Sequence, residues 1–175
     1  MRRALVLLLV LSGCGAVDIP LASVDAGESM GARCMNSDEC APGEFCEKLG
    51  CGTFGRCIEQ PVTCDGETRP ECGCDGVTYW NFCLRQKAGA GFSAPGPCRN
   101  QKPCDQCPQG AICAQLVDPM QCTRPATQCF VLPDVCEGFS PDHYFECNSN
   151  MTQCLDACGA IRSGKIMARF RGPCP

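Results

Sequence analysis

The chain has 175 residues and a formal net charge of −4, and 21 of its residues are cysteine. A short chain with this much cysteine is typical of a disulfide scaffold in an oxidising compartment, which argues against a cytosolic enzyme. The mildly acidic charge argues against a nucleic-acid partner, because binding to a phosphate backbone needs clustered Lys and Arg. Aromatic residues are too few for a large core, so the bridges must supply much of the stability, about 2–4 kcal/mol each.

Residues 1–13 have the layout of a secretory leader. Arg2 and Arg3 form a short positive start, and residues 4–11 form an apolar run. This run is too short to cross a bilayer as a helix but fits the hydrophobic part of a signal peptide. The sequence therefore predicts export, with the leader removed.

The leader ends in Leu-Ser-Gly directly before Cys14, which resembles a bacterial lipobox. The resemblance implies that the Cys14 thiol carries diacylglycerol and anchors the protein in the envelope through its N-terminal lipid. Gly15 follows this cysteine, at the position where Asp would retain such a lipoprotein at the inner membrane. A glycine there resembles the pattern of lipoproteins that are sorted to the outer membrane. The alternative is an ordinary signal peptide, cut near Ala16, and a secreted product. Residues 14–33, rich in Ala, Gly, Ser and Asp, predict a flexible tether.

The twenty cysteines after Cys14 form two equal sets on either side of a linker at residues 99–103. Ten lie within 34–98 and ten within 104–174, so each set can close its own bridges. We therefore predict two Cys-rich modules, 34–98 and 104–175. Both end in Gly-Pro-Cys, which suggests that the second module is a degenerate repeat of the first.

Nothing in the sequence predicts a metal, a cofactor or a catalytic residue. Cys104 and Cys107 form the only Cys-x-x-Cys unit, and in an exported chain without a His partner this favours disulfides over zinc. His143 is the only histidine, and we interpret residues 142–144 as a surface loop because no nucleophile motif accompanies it. We expect a protein that is not an enzyme.

Residues 72–83 carry the clearest local signals in the chain. Asp75-Gly76 is a signal for a two-residue hairpin turn, because the matching turn needs positive φ at both positions. Residues 77–79 favour a strand, and Asn81 favours the start of a helix over residues 82–88. The predicted order is strand, tight turn, strand and short helix.

The same residues resemble the Kazal domain of serine protease inhibitors. The family pattern Cys-Gly-x-Asp-Gly-x-Thr-Tyr-x-Asn-x-Cys matches residues 72–83, and Cys64 lies eight residues before Cys72, as in the family. The resemblance covers residues 57–98. It implies a small disulfide-rich α+β fold, with a short antiparallel hairpin plus one helix, followed here by the second Cys-rich module.

The resemblance also implies a disulfide pairing. Cys64–Cys83 and Cys72–Cys98 follow directly from the family. Gln86 stands where the family has a further cysteine and an extra cysteine stands at position 74, so we expect Cys57–Cys74 to replace the missing bridge. Two more bridges are then expected in an N-terminal extension, in one of three arrangements. They would join Cys34, Cys40, Cys46 and Cys51.

In the family, the loop after the second cysteine binds a protease as a substrate does. Mapped onto this chain, Gly66 takes the primary-specificity position and Glu67 follows the scissile bond. Tyr79 matches the residue that packs beneath the loop, and Asn81 matches the residue that supports it with hydrogen bonds. The implied inhibitory loop is Asp65, Gly66, Glu67, Thr68 and Arg69.

Two functions follow from this loop. One is an envelope-anchored, protein-binding module that inhibits a serine protease. The other is a non-inhibitory adhesion or spacer domain at the cell surface, since a fold does not fix a function. Gly66 favours the second, because it has no side chain for a specificity pocket and its flexibility raises the cost of ordering the loop.

The second module carries weaker signals. Ser149 or Asn150 favours the start of a helix that would hold Cys154 and Cys158 on one face. Ile166, Ala168 and Phe170 alternate with Met167, Arg169 and Arg171, which predicts a half-buried strand.

Overall fold

The computed structural model describes residues 31–99, 102–117, 122–123, 125–136, 142–147 and 154–170. The predicted leader, Cys14 and most of the predicted tether lie outside these residues. Strands predominate in the described part, which is small and disulfide-rich and contains two short α-helices. The elements are β1 Arg33–Cys34, β2 Glu44–Glu47, β3 Gly55–Glu59, β4 Glu71–Gly73, β5 Thr78–Tyr79, α1 Phe82–Lys87, β6 Phe92–Pro95, β7 Ile112–Val117, β8 Ala126–Val131, β9 His143–Glu146, β10 Cys154–Asp156, α2 Ala157–Arg162 and β11 Ile166–Phe170.

Nine disulfides join pairs of described cysteines. None of these nine crosses between the N-terminal half, residues 31–99, and the C-terminal half, residues 102–170. Cys104 and Cys107 are both oxidised, which confirms that their unit forms disulfides. The bridges are Cys34–Cys46, Cys40–Cys57, Cys51–Cys74, Cys64–Cys83, Cys72–Cys98, Cys104–Cys113, Cys107–Cys129, Cys122–Cys147 and Cys136–Cys158.

Two of the three expected bridges, Cys64–Cys83 and Cys72–Cys98, are present. The expected Cys57–Cys74 bridge is wrong, because Cys57 bonds Cys40 and Cys74 bonds Cys51. The reason lies in the pairing of β2 with β3, which fixes Cys57 inside the first sheet. Cys51 lies in the connection between these strands, and this connection reaches the hairpin turn that contains Cys74.

A three-stranded sheet, in the order β1-β3-β2, begins the described chain. Its core cluster consists of three buried cysteines, and Phe45 of β2, which is outside that cluster, is also fully buried. Besides Cys51–Cys74, a buried ion-pair cluster ties this sheet to the rest of the molecule. Arg85 of α1 contacts Glu47 of β2 at 3.0 Å and Glu71 of β4 at 2.8 Å.

The β4–β5 hairpin forms where the sequence predicted it, but its turn is longer than expected. Cys72 lies opposite Thr78, and the amide of Gly73 donates to the carbonyl oxygen of Val77. The turn therefore has three residues, 74–76, and ends at Gly76 with φ of +77°. This matches a turn followed by one left-handed residue, in which only the glycine needs positive φ.

The predicted helix after the hairpin is confirmed as α1, Phe82–Lys87. Asn81 is its N-cap, and the Asn81 side chain accepts a hydrogen bond from the amide of Leu84. The cap satisfies one of the amides that the first turn of a helix leaves without a partner.

An eight-stranded sheet contains strands from both halves, in the order β10-β9-β11-β7-β8-β5-β4-β6. The halves meet where β5 runs parallel to β8, with Tyr79 opposite Val131. Beside this seam, Trp80 packs in a buried cluster with Phe130 and Ile161 of the C-terminal half. The two halves therefore share a sheet and a core, although no described disulfide joins them.

The C-terminal half differs from the sequence predictions in two places, at Cys154 and at His143. Cys154 lies in strand β10 rather than in a helix, while Cys158 lies in α2. The helix begins after Asp156 because the carboxylate of Asp156 accepts a hydrogen bond from the amide of Gly159 at 2.6 Å. The candidate caps Ser149 and Asn150 lie outside the described residues.

His143 lies in a strand and not in the surface loop that the sequence predicted. It begins β9, which pairs with β10 on one side and with β11 on the other. A strand with partners on both sides has its backbone groups bonded in the sheet, which a surface loop does not. The predicted strand at residues 166–170 is confirmed as β11.

Neither of the two described α-helices approaches the length and apolar character that crossing a membrane would require.

Candidate functional site

Residues 64–70, named here the Gly66 loop, are fixed at both ends. The Cys64–Cys83 bridge ties the start of the loop to α1. Near the other end, the amide of Arg69 donates to the carbonyl oxygen of Trp80 at 3.0 Å, and the carbonyl of Pro70 accepts from Gly96 at 2.8 Å. Such anchoring lowers the entropy that the loop would lose on binding a partner.

Asn81 supports the centre of the Gly66 loop from beneath. Its side chain is buried, and its Nδ2 atom donates to the carbonyl oxygens of Asp65 at 3.0 Å and Glu67 at 3.1 Å. Its Oδ1 atom accepts from Leu84 at 2.9 Å as the cap of α1. One side chain therefore starts the helix and holds the carbonyls on both sides of Gly66, as the resemblance led us to expect.

Trp80 holds the carbonyl of Gly66 itself. The indole Nε1 donates to the Gly66 carbonyl oxygen at 3.2 Å, and both residues are buried. The backbone amide of Trp80 donates to Val131 at 3.0 Å across the seam between the halves. Trp80 thus connects the Gly66 loop to the C-terminal half.

The inward position of Gly66 limits what the loop can do. A protease inhibitor that binds like a substrate must present its scissile carbonyl to the donors of the protease's oxyanion hole. Here that carbonyl already accepts from Trp80 inside the protein, and Gly66 is buried and has no side chain to enter a specificity pocket. Presentation would require the loop to leave Trp80.

The charged residues of the loop face solvent. Glu67 and Arg69 form an ion pair at 2.9 Å, and both side chains are more than half exposed. Such a pair contributes little to stability because water and salt screen it. Between them, Thr68 is half-buried, and its hydroxyl oxygen is buried without a hydrogen-bond partner.

Tyr79 has a different role from the one that the sequence indicated. Its hydroxyl donates to Asp75 of the hairpin turn at 2.7 Å, and its ring packs with Val77 and with Cys129 of the C-terminal half. The residue that reaches the loop is Trp80, which sequence reasoning missed. The available signal was that the only tryptophan of the chain stands between the two motif residues Tyr79 and Asn81.

Stability is expected to fall at alkaline pH because of Tyr79. Burial first, and then the hydrogen bond to Asp75, raise the pKa of Tyr79 far above its ordinary value of about 10. The folded state keeps the Tyr79 phenol protonated. The contribution of this phenol to the free energy of unfolding is therefore complete below about pH 10 and is lost as pH rises further, by up to about 1.4 kcal/mol per pH unit. Urea unfolding across this range should show that Tyr79→Phe removes this slope. Equal slopes for the two proteins would contradict the assignment.

Two depressions flank the Gly66 loop. A groove of about 470 Å³ lies between Asp65 and Gly66 on one side and residues 131–135 on the other. A second cavity, of about 430 Å³, contacts Thr68, Pro70, Trp80 and Pro97 and is otherwise lined by the C-terminal half. The C-terminal half therefore lies close to the loop on both of these sides.

The cysteines of the described part offer no metal site. The Sγ atoms of Cys34, Cys40 and Cys57 lie within 4.8 Å of one another, but all three are in disulfides and supply no thiolate. No protein-family model matches the chain.

Proposed function

We propose that this chain is an exported, envelope-anchored module with a Kazal-like scaffold, which serves as a non-inhibitory adhesion or spacer domain. Its nine described disulfides belong to an extracellular or envelope compartment, where thiols are oxidised. Anchoring by diacylglycerol on Cys14, with sorting to the outer membrane, is part of the proposal.

The observation that carries the proposal is the hydrogen bond from Trp80 to the Gly66 carbonyl. A substrate-like inhibitor works because its reactive bond is exposed and already in the bound geometry. In this protein the equivalent carbonyl is inside, and the C-terminal half packs around the tryptophan that holds it. Any protease would first have to break this packing, which would lower its affinity.

Serine protease inhibition is the second candidate function, and Asn81 is the observation that favours it. Its two hydrogen bonds hold the carbonyls on either side of Gly66, which keeps that segment rigid. If the loop moved outward as a unit, this rigidity would slow hydrolysis and favour a stable complex.

Titration against proteases separates the two functions. The purified, oxidised protein is added to elastase-, subtilisin-, trypsin- and chymotrypsin-like enzymes, with an established inhibitor of each enzyme as the positive control. We expect no tight inhibition by the wild type. Stoichiometric inhibition of any of the four enzymes would overturn the non-inhibitory assignment.

A double variant tests whether the position of the loop is the cause. Trp80→Phe removes the indole donor, and Gly66→Leu adds a side chain that could fill a specificity pocket. We expect the two changes together to produce inhibition of chymotrypsin- or subtilisin-like enzymes, with Gly66→Leu alone having a smaller effect. A disulfide map identical to that of the wild type controls for folding of the variants.

A further inference from the structure

The three-stranded sheet carries an apolar patch that is open to solvent. Leu49 is 90% exposed and Phe54 is 57% exposed, and they stand at the two ends of the connection between β2 and β3. Ile58 of β3 lines the same depression, which measures about 460 Å³. Large apolar side chains this exposed, and grouped together, indicate a binding surface.

Two arginines border these apolar side chains. The guanidinium of Arg33 lies 3.7 Å from the centre of the Phe54 ring, and Arg56 donates to the carbonyl of Gly31 at 3.3 Å. Glu47 also lines the depression, but it is mostly buried and already paired with Arg85. The exposed part of the surface is therefore apolar and basic, although the whole chain is acidic. The name basic-apolar patch is used for Arg33, Leu49, Phe54, Arg56 and Ile58.

We propose that the basic-apolar patch docks on the anionic phospholipid surface of the membrane. Exposed Leu and Phe enter the region between headgroups and acyl chains, and neighbouring Arg side chains bind anionic headgroups. Acidic residues that lie more than about 10 Å from this contact affect it little, because salt screens charges beyond that distance. The proposal rests on the proposed envelope location.

The position of the patch in the chain supports a lipid partner. Only residues 15–32 separate Arg33 from Cys14 in the chain. A lipid on Cys14 would keep the patch at a high effective concentration near the bilayer. A second contact with the membrane would then strengthen the attachment without requiring high affinity of its own.

A second pair of exposed apolar residues on the described surface fits an anionic membrane less well. Val62 is 80% exposed and Val135 is 63% exposed, and both line the groove beside the Gly66 loop. Asp65 and Asp134 line the same groove and outnumber its one cation, Lys87, so anionic headgroups would be repelled overall. This pair therefore supplies a matched control.

Co-sedimentation with vesicles tests the proposal. The mature chain without its acylated cysteine, residues 15–175, retains every cysteine of the nine described bridges. It is mixed with vesicles of equimolar phosphatidylethanolamine and phosphatidylglycerol, or of phosphatidylcholine alone. We expect binding to the anionic vesicles that weakens as salt is raised, and little binding to phosphatidylcholine.

Variants within the basic-apolar patch and outside it test whether the patch is the part that binds the vesicles. Arg33→Ala and Arg56→Ala should each weaken binding about fivefold, and Leu49→Ser with Phe54→Ser should abolish most of it. The control variants, Val62→Ser with Val135→Ser and Arg69→Ala, should bind as the wild type does. Thermal unfolding of each variant checks that it is folded.

Several results would overturn the proposal. These are no binding to anionic vesicles, equal binding by patch variants and wild type, and sedimentation with purified envelope proteins but not with vesicles. Mass spectrometry of the native N-terminus tests anchoring separately. An unmodified start after Cys14 would refute the anchor without altering the vesicle result, and diacylglycerol on Cys14 without vesicle binding would refute only the docking surface.

Discussion

Replacing Arg85 with alanine is expected to lower the free energy of unfolding by about 3–5 kcal/mol, because it leaves two largely buried carboxylates without their cation. Arg85 is 4% exposed and bonds Glu47, Glu71 and the carbonyl of Ala90. Burial acts to lower the pKa of Arg85, but the hydrogen bonds to both carboxylates outweigh it and raise the pKa overall. The guanidinium therefore stays charged throughout the range in which the protein can be studied.

Urea unfolding with the disulfides intact measures this effect, and three variants act as controls. Arg85→Lys keeps the charge but cannot reach two carboxylates with a planar fork, so an intermediate loss is expected. The neutral set Arg85→Met, Glu47→Gln and Glu71→Gln should recover part of the loss, because no unpaired charge remains. Arg69→Ala removes an exposed ion pair and should change stability by less than about 1 kcal/mol. A loss below about 1 kcal/mol for Arg85→Ala would contradict the assigned role.

The variant Asn81→Ala is expected to cost about 3 kcal/mol and to release the Gly66 loop. The side chain makes one bond as the cap of α1 and two bonds to loop carbonyls, each contributing about 1 kcal/mol. Losing the two loop bonds should raise the open population of the loop about thirtyfold. Cleavage after the exposed Glu67 by a glutamate-specific protease should rise in proportion.

Asn81→Asp separates the two roles of this residue. The carboxylate can still accept from Leu84 and keep the helix cap, but it has no donors and would face the carbonyls of Asp65 and Glu67. We expect fast cleavage in both variants and loss of the cap only in Asn81→Ala. Emission from Trp80, the only tryptophan, should shift to longer wavelength if the loop leaves it. Unchanged cleavage in both variants would show that Asn81 does not hold the loop.

Local signals in the sequence predicted the elements around the site correctly. Asn81 caps α1 because its side chain reaches an amide three residues away, and the β4–β5 hairpin needs only short-range pairing. The turn of this hairpin is one residue longer than predicted. Its length is set by the pairing of Cys72 with Thr78 and not by the Asp75-Gly76 dipeptide. In α2 the signal was also local, because Asp156 is a good cap, but the helix was predicted to begin earlier, at Ser149 or Asn150.

The remaining features depend on contacts between residues far apart in the chain. The resemblance assigned Cys74 to Cys57, whereas the β2–β3 connection carries Cys51 to the hairpin turn. The burial of Gly66 depends on Trp80, whose position depends on the parallel pairing of β5 with β8. Residues 57–98 alone contain no signal for a partner strand that begins at Ala126. The sequence therefore indicated an exposed loop where the fold buries its centre.

The interleaved pattern of the nine disulfides has a consequence for biogenesis. In every one of these bridges at least one further cysteine lies between the two partners, so none joins neighbouring cysteines of the chain. An oxidase that joined thiols in the order in which they leave the secretion channel would make incorrect pairs at each step. Native pairing then requires thiolate exchange through mixed disulfides, which takes seconds to hours depending on oxidant and isomerase. For an exported chain we therefore expect the yield of folded protein to depend on the isomerase capacity of the compartment as well as on its oxidising power.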